Sequence, residues 1–89
     1  MKRSENFLLR EVADTKVLVP VGEAMANFPG MVTLNGTGAF IWELLEKEQT
    51  LQSLTEALME HYAVEREQAR TDAEAFINQL IPTGAILEN

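Results

Sequence analysis

The chain of 89 residues contains no cysteine. This absence excludes a disulfide framework and any chemistry that needs a thiolate, and it is typical of proteins from a reducing compartment. No run approaches the roughly 18 apolar residues that a membrane-spanning helix needs. The opening residues, Met-Lys-Arg-Ser-Glu-Asn, also lack the apolar core of a signal peptide. We therefore expect a soluble protein of the cytoplasm.

Basic residues are scarce as well. Seven Lys and Arg residues face fourteen Asp and Glu residues, which gives a formal net charge of −7. A surface that binds nucleic acid needs many cations to displace the counterions of the phosphates, and an anionic membrane attracts the same kind of surface. The charge balance therefore argues against both partners, whereas it places no such restriction on peptides or proteins.

Side chains that carry catalysis or bind metals are few. His61 is the single histidine, and it lies near the end of a predicted helix, where the helix dipole favours such a residue for structural reasons. No HExxH, EF-hand or P-loop pattern occurs, and Gly36-Thr37-Gly38 lacks the third glycine of a dinucleotide-binding motif. The sequence therefore predicts no catalytic residue, no metal site and no cofactor, and hence a protein that is not an enzyme.

Apolar residues make up 46% of the chain, which is ordinary for one globular domain. Short runs rich in β-branched residues predict strands, and a turn at Asp14-Thr15 would join the first two as a hairpin. The elements predicted for this part of the chain are strands over 7–13, 16–21 and 31–34 and a loop over 22–30. The strand over 31–34 ends abruptly at Asn35-Gly36, where a helical pattern begins.

Three helices are predicted after the strands. The first covers about 37–47 with Asn35 or Thr37 as its cap, and the second begins after Thr50 and reaches Tyr62. The third begins near Glu65 or Arg66 and ends before Pro82, and its apolar stripe at 3.6-residue spacing consists of Ala69, Ala73, Phe76, Ile77 and Leu80. The last residues, 85–89, are expected to return as a short extended piece.

Strands followed by helices predict an α+β fold, in which three helices pack on one face of a small three-stranded antiparallel sheet. The lengths and order of the helices also suit a winged helix-turn-helix arrangement.

The run from Leu34 to Glu46, Leu-Asn-Gly-Thr-Gly-Ala-Phe-Ile-Trp-Glu-Leu-Leu-Glu, resembles the LNxTGxxIWxLL signature of the PqqD family. These proteins are relatives of pyrroloquinoline quinone biosynthesis protein D. The flanking matches are Leu9–Ala13, Val17–Gly22, Thr50-Leu51, Tyr62–Val64, Asp72 and Phe76–Leu80. Gly36 and Lys47 depart from the pattern of the family. The resemblance covers about residues 6–88, so we expect a single PqqD-like domain over residues 1–89.

The resemblance implies a peptide-recognition module, called a RiPP recognition element, that works in natural-product biosynthesis. Such modules are not catalytic. They bind the leader of a ribosomally synthesised precursor peptide and present the peptide to a modifying enzyme, often a radical S-adenosylmethionine (SAM) protein. The leader adds as an antiparallel strand beside the third strand and packs against the third helix.

The geometry of that family selects six leader-binding residues: Met31, Val32, Thr33, Leu34, Asp72 and Phe76. The strand over 31–34 lacks the Lys, Glu or Pro residues that commonly protect a strand edge, so strand addition there is physically reasonable. The small Ala69 and Ala73 would leave room for a guest, Phe76 and Leu80 would give it apolar contact, and Asp72 would hold a polar or basic leader residue. The alternative is that Val32, Leu34 and Phe76 only fill the core.

Two other possibilities stay open. A winged-helix domain that binds nucleic acid or regulates transcription would be expected to show basic residues on its recognition helix. Arg66 and Arg70 are instead outweighed by four neighbouring acids, namely Glu65, Glu67, Asp72 and Glu74. Exposed strand edges also permit a homodimer that forms by edge pairing.

Overall fold

The structure, a computed structural model, describes residues 1–27 and 30–88. The strands are β1 (Lys2–Arg3), β2 (Phe7–Val12), β3 (Thr15–Pro20), β4 (Val32–Leu34) and β5 (Ile86–Leu87). The helices are α1 (Ala24–Asn27), α2 (Gly36–Leu44), α3 (Leu51–Tyr62) and α4 (Arg66–Leu80), and a 3-10 turn covers Ile81–Thr83. None of the helices in these two ranges combines the length and the apolar character needed to span a bilayer.

The main sheet is antiparallel, with the strand order β2-β3-β4. Leu18 at the centre pairs with Leu9 on one side and Val32 on the other, and these side chains share the face that packs on the helices. The predicted α+β fold, a three-stranded sheet followed by three main helices, is confirmed. Within the described residues β4 pairs only with β3, so β4 is an edge strand.

The β2–β3 hairpin turns one residue earlier than predicted. Val12 pairs with Thr15, which leaves Ala13 and Asp14 as the two turn residues. Their φ angles are +50° and +68°, the left-handed values that a two-residue type I′ turn requires at both positions. The predicted turn at Asp14-Thr15 is wrong because the twist of the paired strands, rather than a preferred turn sequence, sets the register here.

Local capping bonds explain where α2 and α3 begin. The backbone N–H of Gly38 donates to Asn35 Oδ1 at 2.7 Å, so Asn35 rather than Thr37 is the cap of α2. The N–H of Ser53 donates to Thr50 Oγ1 at 3.0 Å, and Ser53 Oγ accepts from the N–H of Thr50 at 2.9 Å. These reciprocal bonds form a capping box, with serine in the place of the usual glutamate.

The core lies between the sheet and the three long helices. The largest side chains that are almost fully buried are Trp42, Leu18, Ile41, Leu45, Leu54, Leu58 and Leu80. The stripe predicted for α4 is confirmed, because all five of its residues are buried. The helix ends at Leu80, and Gly84 then takes a left-handed φ of +83° that turns the chain back toward the sheet layer.

The two ends of the described chain form a second small sheet. Lys2 pairs with Leu87 and Arg3 with Ile86, and the N–H of Ser4 donates to the carbonyl of Ala85 at 2.8 Å. Of the extended piece predicted over 85–89, residues 86 and 87 form β5. The sequence does not predict its partner β1, because a run of two charged residues cannot show the alternation of apolar and polar residues that indicates a strand.

The segment predicted as a loop over 22–30 contains the short helix α1. Phe28 and Pro29, which the loop prediction includes, lie outside the described residues, as does Asn89 at the end of the predicted extended piece.

Candidate functional site

A groove of about 220 Å³ lies between β4, the first turn of α2 and the outer side of α4. Its lining residues are Thr33, Leu34, Asn35, Thr37, Gly38, Ile41, Asp72, Ala75, Phe76 and Gln79. Since β4 has no strand partner on its second edge within the described chain, the groove adjoins backbone N–H and C=O groups that a further strand can pair with. The site therefore combines an open β-edge with a helical wall.

Four of the six predicted site residues line this groove: Thr33, Leu34, Asp72 and Phe76. Thr33 is exposed, whereas Leu34 is buried with only its outer surface at the groove. Val32 is 8% exposed and points into the core, and Met31 is 63% exposed and lies one residue before β4. The backbone of Val32 belongs to the open strand, but the side chains of Met31 and Val32 are not among the groove residues.

The prediction that Ala69 and Ala73 leave room for a guest is wrong. Both are fully buried in the core, as is Leu80, which was expected to contact the guest. The groove face of α4 is instead formed by Asp72, Ala75, Phe76 and Gln79. Positions 72, 75, 76 and 79 follow the i, i+3, i+4, i+7 rule for one side of a helix, so Asp72 and Phe76 together could have identified Ala75 and Gln79.

Phe76 forms a wall of the groove through close packing against α2. An ideal Cβ built on Gly38 would lie 3.1 Å from Cε1 and 3.3 Å from Cδ1 of the Phe76 ring. Such a contact is tighter than ordinary van der Waals distance. Because Gly38 has no side chain, the ring packs directly onto the first turn of α2, beside the cap residue Asn35.

Among the described residues that line the groove, Asp72 is the single ionisable one. Its carboxylate is half-buried and accepts a hydrogen bond from Gln68 Nε2 at 2.9 Å. It takes part in none of the ion pairs found among residues 1–27 and 30–88. Arg66 and Arg70 lie on another side of α4, where they line a separate hollow with the start of α3.

A second and wider groove, of about 810 Å³, lies beside β2, the opposite edge strand of the main sheet. Here the guanidinium of Arg3 lies 5.7 Å from the ring centroid of Trp42, and its Nη1 donates to the carbonyl of Trp42 at 3.2 Å. Arg3 Nη2 also lies 3.9 Å from a carboxylate oxygen of Glu46. The guanidinium of Arg3 is thus already engaged by groups of the same molecule.

His61 belongs to a surface cluster of rings. It stacks on Phe40 with ring centroids 4.2 Å apart, and Tyr62 meets both rings edge-on. Within the described residues, no three side chains of the types that bind metals come together as a metal site. The structure therefore gives His61 a packing role at the end of α3.

The family model described as coenzyme PQQ synthesis protein D (PqqD) matches residues 15–86. The match begins at the first residue of β3 and spans β4, all the long helices and the first residue of β5. Among curated proteins, none gives a significant match.

Two solved structures have a similar fold. One is TbiB1 in complex with the TbiA(beta) leader peptide, with a TM-score of 0.77 and 22% identity over 100% of this chain and 98% of that chain. The other is lasso peptide synthetase B1 complexed with the leader peptide, with a TM-score of 0.73 and 23% identity over 98% of this chain and 96% of that chain. At these identities the similarity establishes a shared fold.

Proposed function

Because the chain belongs to the PqqD family, we propose that it is a non-catalytic module that binds the leader segment of a ribosomally synthesised precursor peptide. The observation that carries the proposal is the open edge of β4 beside the α4 groove. Both structural neighbours are complexes with leader peptides, which supports the same class of ligand here.

The leader binds by strand addition. Its backbone pairs with the N–H and C=O groups of β4 that β3 leaves free, and alternate side chains enter the groove toward α4. Leu34 and Phe76 provide apolar contact, Thr33 and Asp72 provide polar contact, and Met31 and Val32 contribute backbone at the start of the strand. The six predicted residues thus divide into side-chain contacts and backbone contacts.

The module presents the bound precursor to a peptide-modifying enzyme, for which we propose the radical SAM type, in the cytoplasm. Pyrroloquinoline quinone synthesis and related natural-product pathways are the settings that the family suggests. We treat residues 1–89 as one recognition domain in this proposal. The open edges of β2 and β4 also allow two copies to pair, and pairing through β4 would compete with the leader.

Peptide titration followed by NMR tests the proposal. The probes are synthetic peptides that correspond to the N-terminal halves of short reading frames encoded beside the gene. Binding at the proposed site perturbs the amide signals of residues 32–35 and of α4 from Asp72 to Gln79. Perturbation confined to β2 and Trp42, at the second groove, would contradict the proposed site.

Proline variants then test strand addition itself. Neighbouring residues of a strand direct their N–H groups to opposite edges, so one of Val32 and Thr33 donates toward the guest. Val32→Pro and Thr33→Pro, made separately, remove one N–H each, and we expect at least tenfold weaker binding in one variant that stays folded by circular dichroism. Thr33→Ser retains both the N–H and the hydroxyl and serves as the control. Undiminished affinity in both folded proline variants would rule out strand addition.

The charges of α4 argue against the alternative of a winged-helix domain that binds nucleic acid. α4 would be the recognition helix, but its Arg70 is paired with Glu74 at 3.0 Å, and acidic residues outnumber basic ones along the helix. Such a surface repels phosphates.

A further inference from the structure

The groove beside β4 carries a negative charge that no ion pair among the described residues neutralises. Asp72, the sole ionisable residue among the described lining residues, contributes a half-buried carboxylate that accepts from a neutral amide, Gln68. Two cations of neighbouring elements are paired with other acids: Lys16 of β3 lies 3.7 Å from Glu11, and Arg70 of α4 lies 3.0 Å from Glu74. The net charge of −7 adds to the negative potential around the groove.

A guest strand that fills the groove also covers this carboxylate. Removing a charge from water is unfavourable unless a hydrogen-bonded partner compensates it, and an acidic guest residue would add repulsion. A lysine or arginine on the guest provides that partner through a charge-assisted hydrogen bond. Complementary charge of this kind also speeds the encounter between a basic peptide and an acidic protein.

The spacing along α4 matches the repeat of a strand. Asp72 and Phe76 are four residues apart on one side of the helix, which corresponds to a rise of about 6 Å. Side chains on the same face of a strand recur every two residues, or about 6.6–6.8 Å. Ala75, beside Phe76, is small and leaves room for a guest side chain against the ring. One guest residue can therefore reach Asp72 while the second residue along contacts Phe76.

From these observations, and resting on the proposed leader-binding function, we infer that the peptide bound at β4 carries a lysine or arginine opposite Asp72. This basic residue is separated by one residue from an apolar side chain that packs on Phe76. The ligand class is thus a basic, alternating segment rather than an acidic or purely apolar one. Asp72 acts as the residue that selects it.

A displayed library of random 12-residue peptides is the probe that tests this inference. Selection on the wild-type protein enriches peptides with Lys or Arg two positions from an apolar residue. Selection on Asp72→Lys enriches Asp or Glu at the same position. Glu67→Lys makes the same charge change on α4 outside the groove, and we expect it to retain the wild-type preference. If selection on Glu67→Lys no longer enriches basic residues, the preference arises from the net charge of the protein, and the role of Asp72 is overturned.

A double-mutant cycle on one selected peptide measures the pair directly. Either Asp72→Asn or replacement of the basic peptide residue by glutamine weakens binding on the order of tenfold, and the two changes together weaken it little further. The wild-type affinity also falls as salt rises, whereas the affinity of Asp72→Asn depends less on salt. Independent, additive effects would overturn the pairing.

The outcomes separate this inference from the proposed function. Peptides that bind wild type but lose affinity in one of the proline variants of β4, without any basic preference, would support strand addition and overturn the Asp72 assignment. If the selected peptides bind Val32→Pro and Thr33→Pro as tightly as wild type, or if no peptide is selected, both the proposed function and the Asp72 assignment are overturned.

Discussion

At the scale of single residues, the two glycines that begin α2 have different surroundings. A Cβ on Gly36 would meet no atom within 4 Å, whereas a Cβ on Gly38 would lie 3.1 Å from the Phe76 ring and 3.2 Å from Asn35 Oδ1. The glycine at 38 is therefore required by packing across the site, while the glycine at 36 is not. These neighbours provide a matched pair for experiment.

We predict that Gly36→Ala and Gly38→Ala separate stability from binding. Alanine favours a helix over glycine by up to about 1 kcal/mol, so Gly36→Ala should raise the free energy of unfolding by about 0.4–1 kcal/mol with peptide affinity unchanged. Gly38→Ala displaces Phe76 toward the groove, so it should gain less stability and bind peptide several-fold more weakly. Urea denaturation and titration with one selected peptide measure both quantities. Equal behaviour of the two variants would refute the packing role of Gly38.

Individual residues also show what the sequence reveals about the site. Asp72 and Phe76 line the groove, whereas Ala69 and Ala73 face the core. The apolar period of α4 shows which residues can be buried, and Phe76 belongs to this buried stripe. Whether its edge also borders a groove depends on the angle at which α4 packs beside β4, and no local pattern encodes that angle. The side chain of Val32 points into the core, and that of Met31, one residue before β4, is not among the groove residues.

At the scale of elements, the β2–β3 hairpin retains a suboptimal turn. Ala13 and Asp14 both have positive φ. This left-handed conformation costs an ordinary L-residue such as Ala13 about 1–2 kcal/mol, whereas aspartate tolerates it better. Type I′ turns favour Asn-Gly at these positions. The exposed turn lies at the far end of the hairpin from β1 and contributes no groove residue.

The double replacement Ala13→Asn with Asp14→Gly should therefore stabilise the protein by about 1 kcal/mol. A β-branched residue at the first position, Ala13→Val, should destabilise it, because its side chain opposes the left-handed conformation. Thermal and urea unfolding of the three proteins provide the comparison. If the free energy of unfolding changes in the same direction in both variants, an effect other than the backbone conformation of residues 13 and 14 dominates at this turn.

Elements with strong local signals are those that the sequence predicts well. Asn35 and Thr50 mark the starts of α2 and α3 because each can satisfy free N–H groups of the first turn. α1 and β1 are missed because four and two residues are too few to show a period. β1 is held by tertiary contacts, such as the bond from the N–H of Arg3 to the carbonyl of Leu45 at 2.9 Å.

At the scale of the whole molecule, the β1–β5 pair closes the fold around the core. Ile86 is 3% exposed and belongs to the core, while its neighbour Leu87 is 52% exposed. The two residues have similar volume and lie side by side in β5. Comparing them isolates the contribution of burial from that of strand pairing.

We expect Ile86→Ala to lower the free energy of unfolding by about 2–4 kcal/mol, because it removes buried methyl groups and leaves a cavity. For a domain of this size such a loss lowers Tm by about 10 °C or more. Leu87→Ala should cost less than about 1 kcal/mol. Chemical denaturation of both variants measures the difference. Similar small losses would show that the terminal sheet contributes little to global stability.

The overall architecture follows from a change in the spacing of apolar residues along the chain. Alternation that favours strands gives way to 3.6-residue stripes after Asn35, and this order alone predicts helices packed on one face of a small sheet. The order of the strands places β4 at an edge, which the sequence indicates only through the absence of protective charges on residues 31–34. The second sheet requires contact between residues more than eighty positions apart and has no local signature.

The β1–β5 pair has a consequence for how this unit can be built into larger proteins. Lys2 and Leu87 lie directly opposite each other, so a polypeptide can enter and leave the fold at one point. Such geometry tolerates insertion of the unit into a surface loop of a host enzyme, and equally a circular permutation that joins its ends. Either rearrangement would leave the β4 edge and the groove beside it accessible.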